Sequence, residues 1–206
     1  MARLQVLREA AGQAPDTSEV LPGWAGRAAH ADADLNTDTK PDPRLEGLPP
    51  VIGPDTRLVV LGSFPGVASL KAQAYYAHPR NQFWPLLSVL LRTDFLSLPY
   101  AERLVAMVQR GVGLWDVYRQ CRRVGSLDSA IRNAEFNDLA SLLERAPGLC
   151  GFAHNGGESA RAMRRTAGLG LTVWALPSSS PANASWSFER KLAAWHQAFE
   201  AAGVLR

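Results

Sequence analysis

Residues 58–84 read LVVLGSFPGVASLKAQAYYAHPRNQFW, and the fold is decided here. Leu58, Val59, Val60 and Leu61 make an apolar run with no polar alternation, as expected of a strand covered on both faces. The run breaks at Gly62-Ser63-Phe64-Pro65-Gly66, and a Gly/Pro loop at a strand end is where α/β proteins place ligand chemistry. Two adjacent tyrosines, a His78-Pro79-Arg80-Asn81 cluster and an apolar helix opening at Phe83-Trp84 follow. Aromatic faces beside a cation and a carboxamide suit a flat, uncharged ring joined to a phosphate backbone, the description of a nucleobase.

Outward from this stretch the pattern alternates. Strands are expected at 57–62, 112–117, 149–154 and 171–176, and helices at 81–92, 100–110, 137–145, 158–166 and 188–202. Short apolar strands separated by helical spacing give an α/β fold with a parallel sheet between two helical layers. The four strand ends run into Gly62–Gly66, into Tyr118-Arg119 after Asp116, into Asn155-Gly156-Gly157, and into Pro177-Ser178-Ser179-Ser180-Pro181-Ala182-Asn183. All four are short of bulky aliphatic residues, so their convergence predicts a polar cleft with exposed backbone N–H groups.

With 206 residues and 47% hydrophobic content, the chain buries one sizeable core. No apolar run approaches the roughly 20 residues that span a bilayer, and Glu9 and Gln13 interrupt any signal-peptide core. Cys121 and Cys150 are too few for a disulfide framework, which points to a reducing, cytoplasmic setting. His30, His78, His154 and His196 lack metal-binding spacing, and no dinucleotide, P-loop or nucleophile-elbow motif is present, so neither cofactor nor metal is expected. Residues 1–50 hold five basic and eight acidic side chains; the net charge of +3 therefore hides +6 over the remainder. A basic domain is compatible with nucleic acid. Residues 1–47, rich in Ala, Asp, Gly, Thr and Pro, read as a flexible extension ahead of a domain over 48–206.

Each candidate residue carries two readings. One of Tyr75 and Tyr76 belongs to the core, while the other is free to stack on an extruded base. Phe64 either stacks similarly or plugs the sheet edge. Asn81 reads as a helix N-cap and as a carboxamide able to hold a water. Arg80 and His78 hold a phosphate or lie on a solvated loop. The loop 177–183 is a rigid turn or a stiff wedge pressed on a DNA backbone. Arg119, Arg122 and Arg123, beside Gly125–Ser129, form a phosphate patch or a solvated face. Asp116 is a carboxylate for the cleft or the partner of a nearby arginine.

Taken together, Gly62–Gly66, Tyr75–Trp84, Leu114–Val117, Gly125–Ser129, Asn155-Gly156 and Leu176–Asn183 resemble, in order, the motifs of the hypoxanthine-DNA (deoxyinosine) glycosylases. These are a branch of the uracil-DNA glycosylase superfamily. The resemblance implies a three-layer α/β/α domain around a central four-stranded parallel sheet. It implies a monomer that acts on DNA containing deaminated bases, flips the base and hydrolyses its N-glycosidic bond. By the same resemblance Asn81 is catalytic, with N–H groups near Ser63 and Phe64 stabilising the departing base. Tyr76, Phe64, Gly62 and Asn155 form the base pocket, and Ser178, Ser179, Ser180, Pro181, Asn183 and Arg80 meet the DNA. Mismatch-directed uracil glycosylases carry asparagine where this chain has Phe64, which shifts the expected substrate from uracil to hypoxanthine. No lysine but Lys71 lies in these motifs, so a monofunctional enzyme leaving an abasic site is expected. Uracil or another deaminated base as main substrate, a non-catalytic lesion-sensing module, and a small-molecule-binding domain are the competing readings.

Overall fold

A computed structural model of the chain describes residues 44–205. Of the stretch read as an extension, all but the last four residues lie outside the described residues. Seven strands are present among the described residues: β1 Arg44–Glu46, β2 Leu58–Gly62, β3 Val112–Asp116, β4 Tyr118–Arg122, β5 Arg132–Phe136, β6 Gly151–Asn155 and β7 Thr172–Leu176. The helices are α1 Val67–Ala72, α2 Phe83–Leu90, α3 Tyr100–Gln109, α4 Ser141–Arg145, α5 Gly157–Ala160, α6 Met163–Ala167 and α7 Phe188–Ala201, with a 3₁₀ turn at Asp128–Ala130. None of these helices is long and apolar enough to cross a membrane.

The central sheet has the order β3-β2-β6-β7 and is parallel throughout. Its register pairs Gly62 with Asp116, Leu61 with His154 and Asn155 with Leu176, so Gly62, Asp116, Asn155 and Leu176 end on one edge. Because side chains alternate along a strand, β2 feeds two cores. Leu58 and Val60 pack with Phe83, Leu87, Met107, Trp195 and Phe199 of α2, α3 and α7. Val59 and Leu61 pack with Trp115, Leu142, Phe152 and Ala162 on the opposite face. Full burial of each such large side chain contributes roughly 1.5–3 kcal/mol, and removing one from either core would loosen the corresponding layer.

α7 shows how sequence becomes position. Ser187 caps it by accepting a hydrogen bond from the Arg190 N–H at 3.3 Å. Lys191, Trp195, Ala198 and Phe199 then recur at helical spacing and are all buried.

The structure corrects the reading after Asp116. The polar stretch beginning Tyr118-Arg119 is β4, which joins β1 and β5 in an antiparallel sheet of order β1-β4-β5. Two register shifts between β4 and β5, and exposed Arg119, Arg122 and Arg132, erase the alternation that marks a strand. The helix expected at 137–145 shrinks to α4, and the one expected at 158–166 splits into α5 and α6. α1 has too little apolar spacing to stand out in sequence.

Candidate active site

A cavity of about 800 Å³ opens over the carboxyl edge of the parallel sheet. Its floor is the row of strand ends. A Cβ at Gly62 would collide with Asp116 Oδ1, so the absence of a side chain at Gly62 leaves room for that carboxyl at the sheet edge. Asp116 is 4% exposed, and its Oδ2 has no hydrogen-bond partner among the described residues. Burial pushes its carboxyl up to about 8; Asp128 raises it further and Arg123 opposes the shift. An orphaned polar atom of this kind costs on the order of 1–3 kcal/mol.

One wall is aromatic. Tyr76 sits in the left-handed region at φ 55°, strained for a residue with a side chain. Its ring stacks on Phe83 with centroids 3.9 Å apart and planes 13° apart, so one face is covered from behind. Its hydroxyl accepts from Asn155 Nδ2 at 3.1 Å. Tyr75 is the core member of the pair. It is buried, donates its hydroxyl to the carbonyls of Leu48 and Pro49, and gives its N–H to the Tyr100 hydroxyl.

Three carboxamides border the cavity. Asn155 donates to Tyr76 and to Ser179 Oγ at 2.9 Å, and accepts from the Ser179 N–H at 2.9 Å. Asn183 donates to the Ser178 carbonyl and accepts from Ser185. Asn81 Oδ1 accepts only the Phe83 N–H, at 2.9 Å, and its Nδ2 has no partner among the described residues. The N-cap of α2 is Gln82, so Asn81 stands one residue ahead of the cap expected of it; its bond from the Phe83 N–H and a group free for ligand coexist in one side chain, the first fixing the rotamer of the second.

The loop 177–183 is tied down at several points. Ser179 is fully buried, and its carbonyl accepts the Gln82 N–H at 2.9 Å. Ser178 and Ser180 hydroxyls accept from the loop's own N–H groups, leaving Pro181 and Ala182 exposed at the tip. Lys191 Nζ donates to Gln82 Oε1 at 2.8 Å and to the Asn183 carbonyl at 2.9 Å, joining this loop to the residue after Asn81. Sequence reading missed Lys191, although a lysine on the apolar stripe of α7 is the signal that could have found it. It also missed Trp186 at the rim, with the Arg190 guanidinium 3.8 Å from its ring centroid.

The opposite lip differs. Phe64 borders the cavity but is 5% exposed, and the Arg123 guanidinium sits 5.1 Å from its ring centroid. Ser63 is outside the cavity lining, and its Oγ donates at 2.7 Å to Oδ1 of Asp128, which lines it. Arg80 is exposed and also outside that lining. The arginines expected as one phosphate patch are divided: Arg123 is buried and donates to the Pro65 carbonyl, Arg119 pairs with Glu135 at 2.6 Å, and only Arg122 is exposed without an ion pair among the described residues. The pairing of Asp116 with an arginine does not form, since Arg123 turns to Pro65 and Phe64 instead. Among the described residues no three His, Cys, Asp or Glu side chains cluster as a metal site would require.

Comparison with known proteins extends the picture. The model of the uracil DNA glycosylase superfamily matches residues 49–200. A hypoxanthine DNA glycosylase of Methanosarcina barkeri is 36% identical over 157 residues, covering 76% of this chain and 99% of that protein. A second, from Methanosarcina acetivorans, is 34% identical over 153 residues, covering 74% and 96%. The solution NMR structure of a uracil DNA glycosylase candidate from Methanosarcina acetivorans superposes with a TM-score of 0.71 at 32% identity, covering 78% of this chain and 99% of that one.

Proposed function

This chain belongs to the uracil DNA glycosylase superfamily, and on that premise we propose that it excises hypoxanthine from DNA by hydrolysing the N-glycosidic bond. The observation that carries the reading is the inequality of the three cavity carboxamides. Asn155 and Asn183 are consumed by the walls of the site, and position 64 offers a buried phenyl ring, so Asn81 is the carboxamide left for a water.

The steps follow from charge. The C1′–N9 bond breaks towards a cationic sugar and an anionic purine. Asn81 Oδ1, held by the Phe83 N–H, has a second lone pair to orient the attacking water. The flipped base lies between the sheet edge and Tyr76, whose far face is already backed by Phe83. Gly62 and Asn155 form its floor, and N–H groups near Ser63 and Phe64 face the charge that develops on the base. Ser178, Ser180, Pro181 and Asn183 meet the backbone from a loop stiffened by Lys191 and by buried Ser179, and Arg80 adds a cation beside it. Among the described residues no lysine lines the cavity, which supports hydrolysis without a Schiff-base step and an abasic product. One domain supplies every residue invoked, consistent with a monomer.

The test is a panel of duplex oligonucleotides carrying inosine, uracil, xanthine or ethenoadenine, each incubated with the protein and then treated with alkali. Strand breakage is expected at inosine and much more weakly at uracil. Binding without breakage on every lesion would overturn the reading in favour of a lesion-sensing module.

A further inference from the structure

Asp116 is a buried polar residue on the cavity that the mechanism above leaves unused. It ends β3 beside Gly62, borders the cavity floor, and is 4% exposed. No cation is within ion-pair reach among the described residues, and Oδ2 has no hydrogen-bond partner. The groups facing it are Asp128 and Arg123 from the far lip and Tyr75, Tyr76 and Tyr100 from the aromatic wall. Arg123 is drawn away to the Pro65 carbonyl, Asp128 takes the Ser63 hydroxyl, and the Tyr76 oxygen accepts from Asn155 without donating to Asp116. A carboxyl so placed, with an aromatic wall and a second acid near it, keeps an unpartnered oxygen and has no counter-ion among the described residues.

We propose that Asp116 is a catalytic residue: the hydrogen-bond donor, and the proton source, for the base as it leaves. The inference rests on the glycosylase reading and adds an acid to it. Water attacks C1′, and the electron pair of the C1′–N9 bond goes to the purine. The Asp116 proton passes to a ring nitrogen of that purine, and the proton released by the attacking water restores the carboxyl through solvent. Hypoxanthine thus departs neutral and the sugar keeps a hydroxyl at C1′. Burial holds the carboxyl in its protonated form up to a pH of about 8, so the acid is present at neutral pH.

The decisive experiment compares single-turnover hypoxanthine release by wild type, Asp116→Asn and Asp116→Ala from pH 6 to 10. Asp116→Ala is expected to be about 10²-fold slower at pH 7, the loss typical of a removed donor. Asp116→Asn keeps an N–H donor without a transferable proton and should fall between the two. The ratio of wild-type to Asn-variant rates should be level below pH 7 and drop about tenfold per unit above pH 8. Titration of the lesion and of Asp128 is common to both proteins and cancels in that ratio. A ratio that stays level to pH 10 overturns the assignment even if Asp116→Ala fails to fold, and so does an Ala variant within threefold of wild type. Wild type releasing hypoxanthine with a level ratio defeats this inference alone; wild type releasing none defeats the glycosylase reading with it.

Discussion

Two buried polar sites lie a few residues from each other on the sheet and behave in opposite ways. His154, fully buried on β6, has both ring nitrogens engaged, Nδ1 with Ser159 Oγ at 2.9 Å and Nε2 with Thr166 Oγ1 at 2.8 Å. Ser159 in turn donates to the Leu61 carbonyl at 2.8 Å. Asp116, at the end of β3, has an oxygen with no partner among the described residues. The first network is closed and pins α5 and α6 to the sheet; the second is open and borders the cavity. A satisfied buried polar group rigidifies the fold, whereas an unsatisfied one at a cavity floor is held ready for a ligand.

The largest contrast should appear in stability against pH. In the folded state Asp116 titrates near 8 rather than 3.8, so it retains a proton that the unfolded chain loses above about pH 4. Its contribution is complete below that pH and is lost as pH rises to 8. Asp116→Asn removes this dependence. The variant is expected to melt above wild type at pH 8, by on the order of a few kcal/mol, with the gap closing towards pH 4. His154 works in the other direction, because burial lowers it from 6.5 to about 4. Its contribution is present above pH 6.5 and lost as pH falls through 4. Urea melts of wild type and Asp116→Asn at several pH values check both halves. A gap independent of pH would remove the distinction between the sites.

A smaller effect belongs to the cavity wall. Tyr76→Ala removes a stacking face worth roughly 1–3 kcal/mol per base and should slow excision tenfold or more. Tyr76→Phe keeps the face and loses only the Asn155 hydrogen bond, so excision should change by a few-fold. Equal losses in both variants would mean that the hydroxyl, not the ring, matters.

The smallest effect on activity is expected at the closed network. Ser159→Ala strands His154 Nδ1 and the Leu61 carbonyl, which should cost about 1–3 kcal/mol of stability. Excision by the folded fraction should be unchanged. A large loss of turnover at full stability would show that this network reaches the chemistry.

The parallel sheet was legible because its strands are apolar runs buried on both faces, as β2, β3 and β6 are. The antiparallel sheet was not, since β4 and β5 carry arginines on one face and a bulged register between them. At the site, Asn81, Tyr76 and the loop 177–183 stood out because loops at strand ends leave a mark in composition. Asn155 was visible as a residue but not as a strut, because its partners Ser179 and Tyr76 lie 24 and 79 positions away. The same distance in sequence hid the Lys191–Gln82 link and the diversion of Arg123 from solvent to the Pro65 carbonyl.

The direct test of Asn81 as the water-holding residue is quantification of free hypoxanthine released in a single turnover from an inosine-containing duplex. Wild type and Asn81→Ala are compared at equal DNA occupancy. Release by the variant is expected to fall by about 10²–10³-fold while DNA affinity and melting temperature stay close to wild type. Full release by Asn81→Ala would reduce Asn81 to a turn residue holding the Phe83 N–H and leave the proposed chemistry without its centre.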